Sequence, residues 1–593
     1  MDNPIASLSE YLGYILAFLA VWILLRCARA LLTRRGVPAM GGALELPGKD
    51  RREVCAAGCL IGRAGSSDVA LTDPSVKSTH ALLRRGADGI WVLTDLSRGE
   101  TFVGGRAVEG EALLKSGDRL RFGKVSARFS AGGAPKDKPS GARRGRDGAT
   151  LLLLSLFEFC LLLAHFGAAA AEYRGGIALG FGTLIAAGWG LYFAARRAQE
   201  EDFACPTIAL LLTAVGFSVA ASSTPEAMGK QTALFAAGAA LYTALGFVLR
   251  REERVIALRW VVGGLGLAGL ALTLLTSQSV MGAKNWLSVA GASLQPSEFV
   301  KLAFVCVGGA PIEKTLSRRQ ALPFLAFAAV CVGTLALMGD FGTALVFFAA
   351  YLVMIYLRTG SLALEALSLG AAGTAVAVVL SARPYVAARF ANWGRAWADP
   401  LGAGYQQVRC MSALASGGLF GRGAHRGWLH KVVAADTDLV FGVVGEELGL
   451  IAAVCCLLAV LLLPVYVRRA AGSGSGYYAV AAAGAVTMFL FQVGLNVFGS
   501  LDLVPFTGVT FPFVSRGGSS LIACWGLLAF VRAAAAPPIF SGAPAAKKPA
   551  AAKKAPAAKK PAAEKKPTAA KKPAAAKKPS APKKTGGKKE AGR

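Results

Sequence analysis

About thirteen apolar runs recur along the chain, most of them nearly free of charge. Each is of roughly the 17–25-residue length that lets a helix cross the hydrocarbon of a bilayer. They begin near Tyr11, Thr150, Gly176, Phe203, Gln231, Val255, Phe299, Ala321, Phe341, Ser361, Leu439, Tyr477 and Leu521. Residues 37–131, after the first run, form a non-membrane segment. The fold expected is an all-α polytopic membrane protein with a small all-β unit inserted after its first span.

Composition agrees once charge is placed along the chain. The protein is 54% hydrophobic yet carries a net charge of +30, which excludes an ordinary water-soluble enzyme. Residues 537–593 hold sixteen Lys and one Arg against two Glu. This Lys/Pro/Ala tract cannot bury apolar surface and is expected to be disordered. Anionic lipid headgroups or nucleic acid suit its charge, but a solvated tail with no specific partner is the favoured reading. The 11 cysteines lie mostly inside apolar runs, as small hydrophobes, and give no disulfide framework.

The first run has acids before it and Arg26, Arg29, Arg34 and Arg35 after it, so residues 1–36 read as a retained anchor with its N-terminus outside. Residues 37–131 alternate in short runs such as "WVLTDLS" and "DRLRFG" and read as a β-sandwich. A basic linker (132–148), two extra spans (149–202) and a ten-span region (203–536) follow. Thirteen spans put the β-unit, "RRAQEED", "REER", "EKTLSRR", "RTG", "VRR" and the tail on the cytoplasmic side. All of these carry Lys or Arg. The outside loop from Ala382 to Thr437 is nevertheless basic. Long loops translocate regardless of charge, but arginine's forked donors also suit a phosphate.

Polar residues gather at the outside-facing ends of the spans. "MGAKNWLSVAGASLQPSEFVKL" supplies Lys284, Asn285, Trp286, Gln295, Glu298 and Lys301. "GDFGTAL" places a single acid, Asp340, between two apolar runs. "AADTDLVFGVVGEELG" supplies Asp436, Asp438, Glu446 and Glu447; "FQVGLNVFGS" supplies Gln492 and Asn496; "TFPFVSRGGSS" supplies Ser515, Arg516, Ser519 and Ser520. Taken one by one, each can be an internal tie between helices. Together they point to one polar cavity.

From about Phe203 to Val531 these motifs, with "ADPLGAGYQ", resemble the SEDS family (shape, elongation, division and sporulation; FtsW/RodA/SpoVE). The resemblance implies a peptidoglycan glycosyltransferase that polymerises lipid II into glycan strands at the outer leaflet, in division or cell-shape maintenance, beside a class B penicillin-binding transpeptidase. It implies Asp340 as the catalytic acid, able to act as a base toward a sugar hydroxyl. It implies contacts to lipid II or the nascent strand from Lys284, Trp286, Glu298, Lys301, Arg389, Arg395, Gln406, Asp438, Glu446, Ser515, Arg516 and Ser519. No tightly bound cofactor is expected; a divalent cation, Mg or Mn, would accompany the pyrophosphate. His425 and His430 with Asp436 and Asp438 are too irregularly spaced for a protein-ligated metal, and the metal set is expected to be none.

The sequence departs from the family pattern at several points. Gly339 and Phe341 stand where proline and leucine usually flank the aspartate. Asn285 stands where arginine is usual, Asp436 where histidine is usual, and Arg516 where tyrosine is usual. The β-unit resembles a forkhead-associated (FHA) domain through "IGRAGSSDVALTDPSVKSTHALL", which implies phosphothreonine binding by Arg63, Ser66, Lys77 and Ser78, with Gly62 and His80 fitting the pattern. Lys77 replaces the usual serine and Gly99 falls near the usual asparagine. A lipid II flippase, or a non-catalytic scaffold recruiting cell-wall enzymes through the FHA-like unit, remains an alternative reading.

Overall fold

The computed structural model describes residues 4–33, 40–48, 50–55, 58–64, 67–85, 90–97, 99–131, 141–198, 202–278, 284–289, 292–310, 318–470 and 475–535. Ser66, residues 132–140 of the linker and the Lys-rich tail lie outside them. Helix α1 (Pro4–Thr33) leads into eleven strands. These are β1 (Met40–Glu45), β2 (Arg51–Cys55), β3 (Cys59–Gly62), β4 (Val69–Ala70), β5 (Ala81–Arg85) and β6 (Trp91–Asp95). Then come β7 (Thr101–Val103), β8 (Arg106–Ala107), β9 (Glu111–Leu114), β10 (Arg119–Phe122) and β11 (Val125–Ala131). They pair as two sheets, β2-β1-β11-β10-β7-β8 and β4-β3-β5-β6-β9. Alternation along the strands turns Leu44, Leu93, Phe122 and Phe129 into one apolar core. The first and last strands are neighbours, Gly42 opposite Ala131.

After the β-unit the chain is helical. It runs α2 (Gly141–Ala168), α3 (Ala171–Arg197), α4 (Ala204–Ser223), α5 (Met228–Val248) and α6 (Glu252–Thr276). The linker therefore ends earlier than expected: α2 takes in residues 141–148, where Arg26 of α1 donates to the Arg146 carbonyl and to Thr150. A hairpin, β12 (Leu287–Val289) and β13 (Ala292–Leu294), precedes α7 (Pro296–Gly308). Next come α8 (Arg318–Leu337), α9 (Phe341–Thr359) and α10 (Leu362–Ala382). The basic loop then proves structured, with amphipathic α11 (Pro384–Asn392) and α12 (Tyr405–Gly417). The last elements are α13 (Val440–Glu447), α14 (Leu450–Leu461), α15 (Leu463–Ala470), α16 (Gly476–Ser500) and α17 (Gly518–Ala533).

Ten described helices are long and apolar enough to cross a membrane. Shorter helices, α7, α8 and α17, occupy the remaining expected positions, so this is a multi-pass membrane protein. The run expected from Leu439 is broken: Gly449, at φ +91, separates α13 from the span Leu450–Ala470. Helix α4 is apolar all round and accordingly buried along its length, whereas α10 buries no residue. Helices α1 and α2 pack on this core as well. Tyr14 meets Phe420 with ring centroids 4.4 Å apart, and His165 shares a 2.7 Å hydrogen bond with Ser218.

Candidate active site

Asp340 sits at the start of α9, outside the spans themselves, and its position follows from local sequence. It is the N-cap: Oδ1 accepts the Thr343 N–H at 3.0 Å, satisfying a donor that the first helical turn leaves unpaired. Two glycines make the approach possible. Gly339 adopts φ +83, a left-handed conformation that the proline usual in the family cannot reach. A Cβ on Gly342 would come within 2.6 Å of Val509. The other oxygen, Oδ2, accepts from Asn285 Nδ2 at 3.0 Å, so the residue that replaces the usual arginine touches the acid directly.

These residues line a cavity of about 180 Å3. One wall is Asn285, Gln295 and Glu298; another is residues 339–343; Arg389 of α11, Asp438 and residues 507–510 complete it. Burial pushes the Asp340 carboxyl above the usual carboxylate range, against the Thr343 hydrogen bond, which pulls it down. Burial likewise raises Asp438, helped by Asp436 and opposed by Thr437 and Arg389. A carboxylate of raised basicity facing a cation across one cavity is suited to accept a proton while negative charge develops nearby.

The other expected contacts divide. Glu298 lines the cavity and pairs at 2.8 Å with Lys301, which is itself buried. Ser519 accepts the Gln295 N–H at 3.4 Å, and Ser515 donates to the Thr437 carbonyl at 2.6 Å. Lys301 and Ser519 thus touch lining residues, and Ser515 touches the residue beside lining Asp438. Lys284 and Trp286 are exposed beside the cavity, the Lys284 N–H bonding Met338 at 2.8 Å. Arg395 is exposed and does not line it; its neighbours Gly394 and Ala396 are held by Asp502.

Two expected contacts lie apart from the cavity. Gln406 donates to the Val433 carbonyl at 3.1 Å, and Glu446, fully buried, accepts the N–H groups of Trp428 and Leu429 at 3.0 and 2.9 Å. Neither lines the cavity; both hold loops. Sequence reasoning undervalued Gln295 and missed Thr343 and residues 507–510. The signal for the last was "FTGVT", polar and glycine-bearing between helices. Asn496 fixes it, donating to Val509 at 2.8 Å and to the carbonyls of Asp438 and Thr437 at 3.1 and 3.3 Å. Among the described residues no group of three or more His, Cys, Asp or Glu is arranged to hold a metal.

In the β-unit, Arg63 and Ser78 are exposed on adjoining loops. Lys77 is engaged elsewhere: its ammonium donates to the Ser97 carbonyl and lies 3.5 Å from Glu100. His80 is structural, fully buried, with Nδ1 accepting the Lys77 N–H and Nε2 meeting the Glu100 carbonyl.

Comparison with known proteins agrees with this architecture. Residues 59–123 match the FHA domain and residues 204–536 the FtsW/RodA/SpoVE cell cycle proteins. The peptidoglycan glycosyltransferase RodA of Mycobacterium tuberculosis is 33% identical over 320 residues, covering 50% of this chain and 67% of that one. The probable peptidoglycan glycosyltransferase FtsW of Aeromonas salmonicida is 33% identical over 357 residues, covering 55% and 88%. The crystal structure of Thermus thermophilus RodA is 25% identical, with a TM-score of 0.42, over 56% of this chain and 95% of that one. The chain belongs to the FtsW/RodA/SpoVE family and carries an FHA domain ahead of that family's membrane region.

Proposed function

We propose that the protein is a peptidoglycan glycosyltransferase that polymerises lipid II into glycan strands. The observation that carries this reading is the shared cavity of Asp340 and Arg389, with Asp340 held by Thr343 and Asn285. An acceptor hydroxyl attacks the anomeric carbon of the donor sugar and Asp340 takes its proton. The new carbon–oxygen bond forms as the bond to pyrophosphate breaks. Arg389 stabilises the leaving charge. A divalent cation, Mg or Mn, fits as a companion of the pyrophosphate: such an ion keeps its waters and needs one or two carboxylates, and Asp438 lines the cavity. It would neutralise the leaving group.

The basic loops support an outward-facing site, with the FHA domain and the Lys-rich tail cytoplasmic, the tail near anionic lipids. A class B penicillin-binding transpeptidase is the partner that would crosslink the product, and a phosphothreonine protein the partner of the FHA domain. The test is polymerisation of purified lipid II by the full-length protein with transpeptidase supplied. Long strands from wild type and none from Asp340→Ala are expected. Protein that moves the lipid across liposomes yet makes no polymer would favour a flippase.

A further inference from the structure

Two departures from the family pattern, Asp436 and Arg516, lie eighty positions apart in sequence and meet in the fold. The Arg516 guanidinium contacts the Asp436 carboxylate, and the Arg516 N–H donates to the Asp436 carbonyl at 2.9 Å. Asp436 is buried and Arg516 half-buried. The following residues are clasped in the same way: Ser515 Oγ donates to the Thr437 carbonyl at 2.6 Å, and Asn496 Nδ2 to the Asp438 carbonyl at 3.1 Å. The segment 436–438 is thus fastened to α16 and to the chain ahead of α17, and its last residue lines the cavity.

We infer that Asp436 and Arg516 form a charge-cancelling pair beside the glycosyl-transfer site, removing a negative charge next to an anion-binding cavity while Ser515 and Asn496 hold the backbone of residues 437 and 438. This rests on the proposed polymerase reading. The charges facing Asp438 are Asp436 on its own segment, Arg389 on α11, Asp340 at the start of α9 and Glu298 on α7, with Arg516 reaching it through Asp436. Glu298 is paired with Lys301, which leaves Asp340 and Asp438 to face Arg389. An unpaired Asp436 would be a further negative charge, close to where a lipid pyrophosphate would sit, and like charge disfavours the anion. Removing both partners separates this inference from a plain staple, because a staple fails equally whether one partner or both are removed.

The experiment compares full-length wild type, Arg516→Lys, Arg516→Ala and the Asp436→Ala/Arg516→Ala double variant. It reads binding of lipid II in detergent, with KM and kcat of polymerisation measured separately. Arg516→Ala is expected to bind about tenfold more weakly, seen as a raised KM with little change in kcat, since Asp436 then stands unpaired beside the anion site. The double variant should recover to within about threefold, and Arg516→Lys should behave as wild type. Single and double variants equally impaired, or wild-type binding by Arg516→Ala, would overturn the inference. Wild type that binds lipid II but makes no polymer would overturn the polymerase reading alone, because the binding comparison still tests the pair.

Discussion

In the FHA domain the buried polar atoms of the loop residues are bonded within the protein. His80 uses both ring nitrogens, and Asp95 accepts from Ser97, Gly99 and Thr101. Beside the helical cavity the account stays open: Asn285 Oδ1, Glu298 Oε2 and Gln492 Oε1 are buried with no hydrogen-bond partner. Leaving such an atom unmet costs roughly 1–3 kcal/mol, so a protein keeps them where water or a ligand completes them. The two regions therefore use polar residues for different ends. The loops of the β-unit are a finished scaffold, on which Arg63 and Ser78 project. The cavity keeps buried acceptors that the protein itself does not use.

The largest effect that could break this comparison is at Asp340. Asp340→Asn should lower polymerisation by at least about 100–10,000-fold while membrane insertion and thermal stability stay near wild type. A variant that still made long strands would reduce the cavity to a scaffold as well. Arg389→Ala should lower turnover about 100–1,000-fold, with Arg389→Lys partly restored as a charge without the fork. The measurement is strand length and rate with the substrate already accessible.

The third effect is one of pH. Burial raises the Asp340 carboxyl, and a base works only when ionised, so the rate should rise with pH through a limb above the ordinary aspartate value of about 3.9. Asn285→Ala removes a donor that favours the ionised form, so this limb should move further up and the rate below it fall about tenfold. A limb at the ordinary position would contradict the burial described. The smallest effects belong to the β-unit. In an isolated 37–131 fragment, His80→Ala should destabilise the fold by about 1–3 kcal/mol in denaturant titration. Arg63→Ala should abolish phosphothreonine-peptide binding. Lys77→Ala should change it only a few-fold, because that ammonium is spent on Ser97 and Glu100.

Length and periodicity make the helices and the β-unit readable in the sequence, because each is written in a continuous stretch. Asp340 was readable too, since a lone acid between apolar runs demands a reason. What stayed hidden depends on the route of the chain. Strands of three residues, as at Leu287–Val289, carry too little alternation to be seen. Glu446 looks like a cavity acid in sequence, and only the path of residues 428 and 429 makes it a loop anchor. The Asp436–Arg516 pair has no local signature; the sequence displays two oddities, and folding shows that each answers the other.

The closeness of β1 to β11, and of Arg26 to Arg146 and Thr150, has a consequence for how such a chain is assembled. The FHA domain leaves and re-enters the helical bundle through a narrow doorway, both jambs of which are tied to each other without it. It is built as a cassette: its strand termini adjoin and α1 and α2 are tied without it, so a shorter bridge or another small folded unit is expected to leave those helices in place. Such a unit can be gained, lost or replaced without redesigning the helices that enclose the cavity.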